Sequence, residues 1–158
     1  MLKSFMPAEA LAGSFVLAAP AMADTVVLDA SSIGQSFTLD YNGFVDGGPS
    51  GGGTVIDGLA ASTTFTLTAI NGNDYVFNYQ VSNLTTDPVN SRVSSFGFNT
   101  DPTITGAAST GTFLFAQIGS GYPNGIGSID VCFKEANTKA CQGGGDGGIA
   151  DGQSGSGT

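Results

Sequence analysis

Between Thr64 and Ser82 the chain alternates apolar and polar residues twice, once on each side of Asn71-Gly72-Asn73. Phe65, Leu67 and Ala69 fall among Thr64, Thr66 and Thr68; beyond the turn signal, Tyr75, Phe77, Tyr79 and Val81 interleave with Asn78, Gln80 and Ser82. Period two belongs to a half-buried strand, and residues paired across a hairpin share a face. Apolar residues must therefore oppose apolar ones. Pairing Leu67 with Phe77, and Phe65 with Tyr79, meets this condition and predicts a three-residue loop, Asn71 to Asn73. A two-residue Asn71-Gly72 turn would put threonines opposite aromatics.

Other stretches read the same way. Thr25 to Leu28 is a short β-rich run, and Phe37, Leu39 and Tyr41 alternate with Thr38 and Asp40. Asn42 to Gly53 reads as a flexible loop that only Phe44 and Val45 can anchor. Within Arg92 to Asn99, Val93 lies on the opposite parity from Phe96 and Phe98, which predicts a bulge near Ser94-Ser95. Thr112 to Ile118 is apolar on both parities and predicts a strand covered on both faces. A loop from Gly119 to Gly127 then leads to a strand with Ile129, Val131 and Phe133 on one face and Asp130, Cys132 and Lys134 on the other, polar, face. Threonine, phenylalanine and valine dominate these segments, and no apolar period of helix length occurs. The expected fold is all-β: a single antiparallel, jelly-roll-like β-sandwich of roughly six to eight strands over residues 24–142. Residues 143–158 read as a Gly/Ser-rich flexible segment.

Residues 1–23 read as a cleavable signal helix. Lys3 supplies the positive start, Leu11 to Ala19 the apolar run, and Ala21-Met22-Ala23 the small-residue site cut before Asp24 by signal peptidase. The run is shorter than the ~20 residues a bilayer span needs, so no membrane anchor is expected. Cys132 and Cys141, the only cysteines, are separated by the charged, turn-rich FKEANTKA. In an exported chain such a pair reads as a disulfide. The alternatives are a redox pair or half of a metal site, and without histidine or a further cysteine a zinc site lacks ligands.

With 158 residues the chain has the length of one domain. Four Lys/Arg against thirteen Asp/Glu give a net charge of −9, which opposes nucleic acid and anionic membranes as partners. The lack of histidine removes Ser-His-Asp catalysis. Glu135 is the one glutamate after the signal, and no aspartate pair is marked for glycoside hydrolysis, so neither an enzyme nor a cofactor is expected. Asp46, Asp57, Asp74, Asp87, Asp101, Asp146 and Asp151 stand in or beside turns, where the side chain bonds nearby backbone. Calcium remains the alternative use for them, assembled from several loops. The run GGGDGG has only a faint likeness to glycine-rich calcium repeats, in the wrong register. Tyr41, Tyr75 and Tyr79 share parity with core residues, whereas Tyr122, beside Pro123 in a glycine-rich loop, is freest to meet a ligand such as a sugar. Arg92, the sole arginine, is expected to pair with Asp101 or Asp130. Asn83-Leu84-Thr85 matches a glycosylation sequon, a short and common pattern.

The stretches RVSSFGFNTDP (Arg92 to Pro102), TGAASTGTF (Thr105 to Phe113), VCF (Val131 to Phe133) and CQGGGDGG leading to GQSGSGT resemble the cistern family of PEP-CTERM proteins, exported proteins of Gram-negative bacteria. The resemblance spans most of the chain after the signal and includes both cysteines. It implies a signal peptide, a β-rich body with a paired cysteine, and a C-terminal sorting signal read by an exosortase in exopolysaccharide-producing bacteria. That signal, a Val-Pro-Glu-Pro-like motif with an apolar helix and a basic cluster, is not in this sequence. The resemblance therefore implies further strands and a sorting motif beyond Thr158, without which sheet edges would stand open. The expected role is that of an exported, non-enzymatic envelope or matrix protein with exopolysaccharide or other envelope components as partners. A carbohydrate- or calcium-binding module is the rival reading.

Overall fold

The alternating segments become nine strands: β1 Ser36–Val45, β2 Thr54–Asn71, β3 Asp74–Asn83, β4 Arg92–Val93, β5 Ser95–Phe98, β6 Phe115–Tyr122, β7 Gly127–Lys134, β8 Ile149–Ala150 and β9 Ser154–Gly157. The computed structural model describes residues 25–45, 54–123, 126–145 and 147–158. The proposed signal with Ala21, Ala23 and Asp24, the 46–53 stretch with Asp46, residues 124–125 and Asp146 lie outside them. All strand pairs are antiparallel, in sheets ordered β1-β2-β3-β9, β5-β7-β6 and a short β4-β8. The one helical piece among the described residues is a 3-10 turn, Ala30–Ser32, capped by Asp29.

The two larger sheets face each other across an aromatic core, which makes the all-β antiparallel sandwich expected from the sequence. Phe37 stacks on Phe65 at 5.2 Å within the first sheet. Phe65 then reaches Phe96 and Phe98 of the second sheet at 6.0 and 5.7 Å, and Tyr79 reaches Phe96 at 5.6 Å. Phe96 also meets Phe113 edge-on at 5.1 Å and stacks on Phe133 at 5.2 Å. Such pairs contribute about 0.5–1.5 kcal/mol each beyond the area they bury. Leu67, Val81, Phe113 and Val131 are fully buried beside them. The opposite face of the first sheet carries hydroxyl pairs instead: Ser36 with Thr66 at 2.6 Å, Thr38 with Thr64 at 2.8 Å and Ser82 with Ser154 at 2.8 Å.

The β2–β3 hairpin has the expected pairs, Leu67 with Phe77 and Phe65 with Tyr79, but not the expected loop. The register slips between Leu67 and Ala69, so that Asn71 pairs with Asp74 and only Gly72 and Asn73 form the turn. The extra residue, Thr68, donates its hydroxyl to Val76 O at 3.0 Å. A bulge thus reconciles a two-residue turn with apolar-to-apolar pairing, the combination that parity alone forbids. The phase slip in Arg92 to Asn99 appears as a break at Ser94, where β4 leaves for β8 and β5 joins β7. Strands β1, β2 and β3 form a meander within one sheet, so the connectivity differs from the alternation between sheets of a jelly roll.

Four local expectations are corrected. Thr25 to Leu28 forms no strand, and Val27 stands 83% exposed, since no neighbouring strand offers it a ladder. Asn42 to Val45 is not loop but the end of β1: Asn42 pairs with Ala60 and, beyond a bulge, Phe44 with Val55 and Val45 with Thr54. The strand expected at Thr112 to Ile118 begins at Phe115 and continues through Gly119 to Tyr122, the start of the expected loop. Leu114 and Ile118 are 55% and 36% exposed, so that segment is not covered on both faces.

The largest correction concerns residues 143–158. They are not a flexible appendage: β8 pairs with β4, and β9 extends the four-stranded sheet beside β3. On the far side of β9, Thr110 N donates to Thr158 O at 2.8 Å and Thr112 N to Ser156 O at 3.0 Å. The glycines serve close backbone approach here rather than freedom. A Cβ on Gly157 would stand 2.0 Å from Thr110 O, and Gly148, at φ +95°, lies against Val93 O.

Candidate functional site

Strand β7 is the middle strand of its sheet, and its even residues would face water if the sheet were bare. The chain after Lys134 returns over them. Cys132 and Cys141 form the disulfide, Cα to Cα 5.8 Å, and both are fully buried. Cys132 therefore does not lie on an open polar face but in a second, small core with Ile129 and Tyr122. Lys134 is only 2% exposed. Its ammonium donates to Gln117 Oε1 at 2.8 Å, Thr138 O at 2.7 Å and Ala140 O at 2.8 Å, which uses all three of its donors. Burial holds its pKa below the ordinary 10.5. Glu135, next in sequence, accepts from Gly144 N at 2.8 Å, so the glycine run folds back onto a carboxylate.

A cleft of 860 Å³ opens beside this region. Tyr41 and Val55 line it from the first sheet, and Tyr122, Ile126 and Ile129 from the second. Arg92 stands exposed at its edge, and the exposed Asp40 and Asn42 border it on β1, where they share the parity of Thr38 on the outer sheet face. The Tyr122 hydroxyl lies 3.0 Å from both Oγ and O of Ser95, and Ser95 Oγ donates to Cys141 O at 3.0 Å. The wall of the cleft thus rests on the disulfide loop. The Tyr41 hydroxyl and Thr63 Oγ1 are both buried, and neither bonds any further polar group. Burial raises the Tyr41 phenol above its ordinary 10.0; the Thr63 hydroxyl opposes the shift, and Tyr122 and Asp40 reinforce it. Burial likewise raises Tyr122, against the effect of Ser95.

The remaining sequence candidates fall elsewhere. Tyr79 is a core residue whose hydroxyl donates to Thr110 O at 2.8 Å and accepts from Phe113 N at 3.0 Å. Tyr75, expected in the core, is 48% exposed at the hairpin tip, where the strand has run past the second sheet. Arg92 makes no ion pair with Asp101 or Asp130; Asp130 instead accepts from Thr100 N at 2.8 Å. Asn83 of the sequon is 1% exposed. Its amide donates to Ser91 Oγ at 3.0 Å, Ile149 O at 3.0 Å and Asp151 Oδ1 at 3.2 Å, and its carbonyl accepts from Thr85 N at 3.1 Å. Asp151 also accepts from Ser91 N at 3.0 Å. This polar knot joins the end of β3, the following loop and the turn between β8 and β9.

Among the described residues no group of three or more His, Cys, Asp or Glu side chains could hold a metal ion. None of the described helices is long and apolar enough to cross a membrane. Sequence reading singled out Tyr122 as the tyrosine freest to meet a ligand and assigned Tyr41 to the core by parity; the structure brings both to the cleft. Comparison with protein families, curated proteins and solved structures finds no match for this chain.

Proposed function

We propose that the chain is an exported protein of the bacterial envelope or extracellular matrix, associated with exopolysaccharide and acting by association rather than catalysis. The buried Cys132–Cys141 disulfide carries this reading. Disulfides persist in oxidising compartments, and this one closes a loop whose carbonyls are committed to Lys134. In the chain-entropy model, a bridge across a sequence separation of 9 stabilises the fold by about 2.5–3 kcal/mol. A cytosolic chain would lose that contribution. The hydroxyl-rich outer sheet face and the acidic balance fit a protein that stays soluble among polysaccharides without binding nucleic acid.

The test is export of the full chain in a Gram-negative host, followed by fractionation and thiol alkylation before and after reduction. Protein recovered outside the cytoplasm, beginning at Asp24 and alkylated only after reduction, is the expected result. Free thiols in that fraction, or retention of the uncut chain in the cytoplasm, refutes export.

A further inference from the structure

We propose that the free edge of β1 docks a second copy of this chain: β1 pairs antiparallel with its own counterpart about a two-fold axis at Leu39, and two four-stranded sheets become one. The inference is independent of where the chain works. Of the sheet edges formed by described residues, that of β1 is the long, unguarded one. β9 is covered by Thr110 and Thr112, β5 is only 4 residues long, and β6 is interrupted by Gly119 at φ +56°. β1 stands at the end of its sheet and pairs only with β2. From Ser36 to Asn42 it has no proline, no lysine and no bulge, the devices that ordinarily keep an edge from pairing. Leu67 N donates to Gln35 O at 3.1 Å, so the odd residues of β1 aim their backbone groups at β2. The N–H and C=O of Ser36, Thr38, Asp40 and Asn42 therefore point outward, and none of them bonds any other described segment.

These groups leave few registers for self-pairing. The even residues must face one another, with the core faces of the two strands on the same side. Centring the pair on Asp40 sets two carboxylates directly opposite each other, which is destabilising. Centring it on Thr38 leaves Asn42 opposite Gly34, which lies outside the strand. Centring on Leu39 avoids both. Thr38 then meets Asp40 of the second copy, and Ser36 meets Asn42, each pair exchanging two backbone hydrogen bonds. On the core face Phe37 meets Tyr41 and Leu39 meets its twin. Phe37 and Leu39 are only partly buried within one chain, so the pairing also covers apolar surface. One strand pair buries less than the ~1,200 Å² of a standard interface, and two chains of net charge −9 repel each other. The dimer is accordingly weak, with a Kd on the order of 10–100 μM, and tightens as salt screens the repulsion.

The experiment is sedimentation velocity on the full, oxidised chain up to about 1 mM, at about 20 mM and about 300 mM salt. A monomer–dimer equilibrium that shifts towards dimer at the higher salt is expected. Thr38→Pro removes an outward N–H without touching the ladder to β2, and should weaken the dimer by at least about tenfold. Thr38→Lys, facing Asp40 of the other copy, should tighten it by about three- to tenfold, and Thr38→Asp should weaken it by as much. Gln80→Lys makes the same change of charge on β3, away from the edge, and should move the equilibrium far less. Leu39→Cys brings two thiols together across a non-hydrogen-bonded pair, about 4.5 Å between Cα atoms, and should form a dimer cross-link faster than Asp40→Cys. Circular dichroism and melting temperature confirm that each variant is folded. A wild-type chain that stays monomeric at both salt concentrations overturns the proposal. So does a dimer that survives Thr38→Pro, which would run through another surface, or one that responds alike to Thr38→Lys and Thr38→Asp. Faster cross-linking through Asp40→Cys than through Leu39→Cys overturns the register.

Discussion

Asn83 is the side chain on which most local geometry converges. Its amide and carbonyl bind three segments that meet at the end of β3, and it is buried too deeply to reach an external modifying group. Replacing it by alanine removes the hub and leaves Ile149 O, Asp151 and Thr85 N with lost partners. Asn83→Ala should lower the unfolding free energy by about 2–4 kcal/mol in urea denaturation, since buried groups left unsatisfied cost more than an average hydrogen bond gains. Nothing in the sequence distinguishes this asparagine from those in turns: a polar residue at the end of an alternating strand reads as exposed. Lys134 was illegible for the same reason. Strand parity placed it on the solvent side, and only the return of residues 135–141 over that face turns a surface lysine into a buried one.

Elements were readable in proportion to their length and regularity. The β2–β3 hairpin was legible to the residue pair because ten or more alternating positions must all agree, so a slip of one residue would misplace every aromatic. The Thr68 bulge was not, because a single inserted residue changes loop length without disturbing the pattern before it. The tail failed in the opposite way. Glycine and serine carry no apolar signal, yet β9 needs none, since its contacts are backbone ladders on both sides. Gly157→Ala should therefore lower stability by about 1–3 kcal/mol through the clash with Thr110 O. Gly106→Ala, with open space around its Cα, should stay within about 0.5 kcal/mol, so paired thermal melts of the two variants separate packing from chain flexibility.

At the scale of the molecule, the class of fold followed from composition and periodicity, whereas the cleft did not, because it arises from how far two sheets splay. The same region sets the response to alkali. Tyr41 and Tyr122 titrate above 10.0 in the folded chain, so the stability they contribute is fully present below that pH and is lost as pH rises from there through their folded values. Lys134 acts with the opposite sign: its folded pKa is lowered, so stability rises as pH climbs from that value towards 10.5. Circular-dichroism melts from about pH 8 to about pH 11 should show a melting temperature that holds or rises up to pH ~10 and then falls. Tyr41→Phe should reduce the fall.

Ser82 and Ser154 touch although 72 residues separate them along the chain. Bringing such distant partners together costs loop-closure entropy before the ladder returns any gain, and chains dominated by remote pairing fold in milliseconds to seconds rather than microseconds. For a polypeptide that must be threaded through a membrane pore, as proposed, that delay is useful. Until β9 arrives beside β3, the first sheet is incomplete, and the translocating chain remains slack enough to pass.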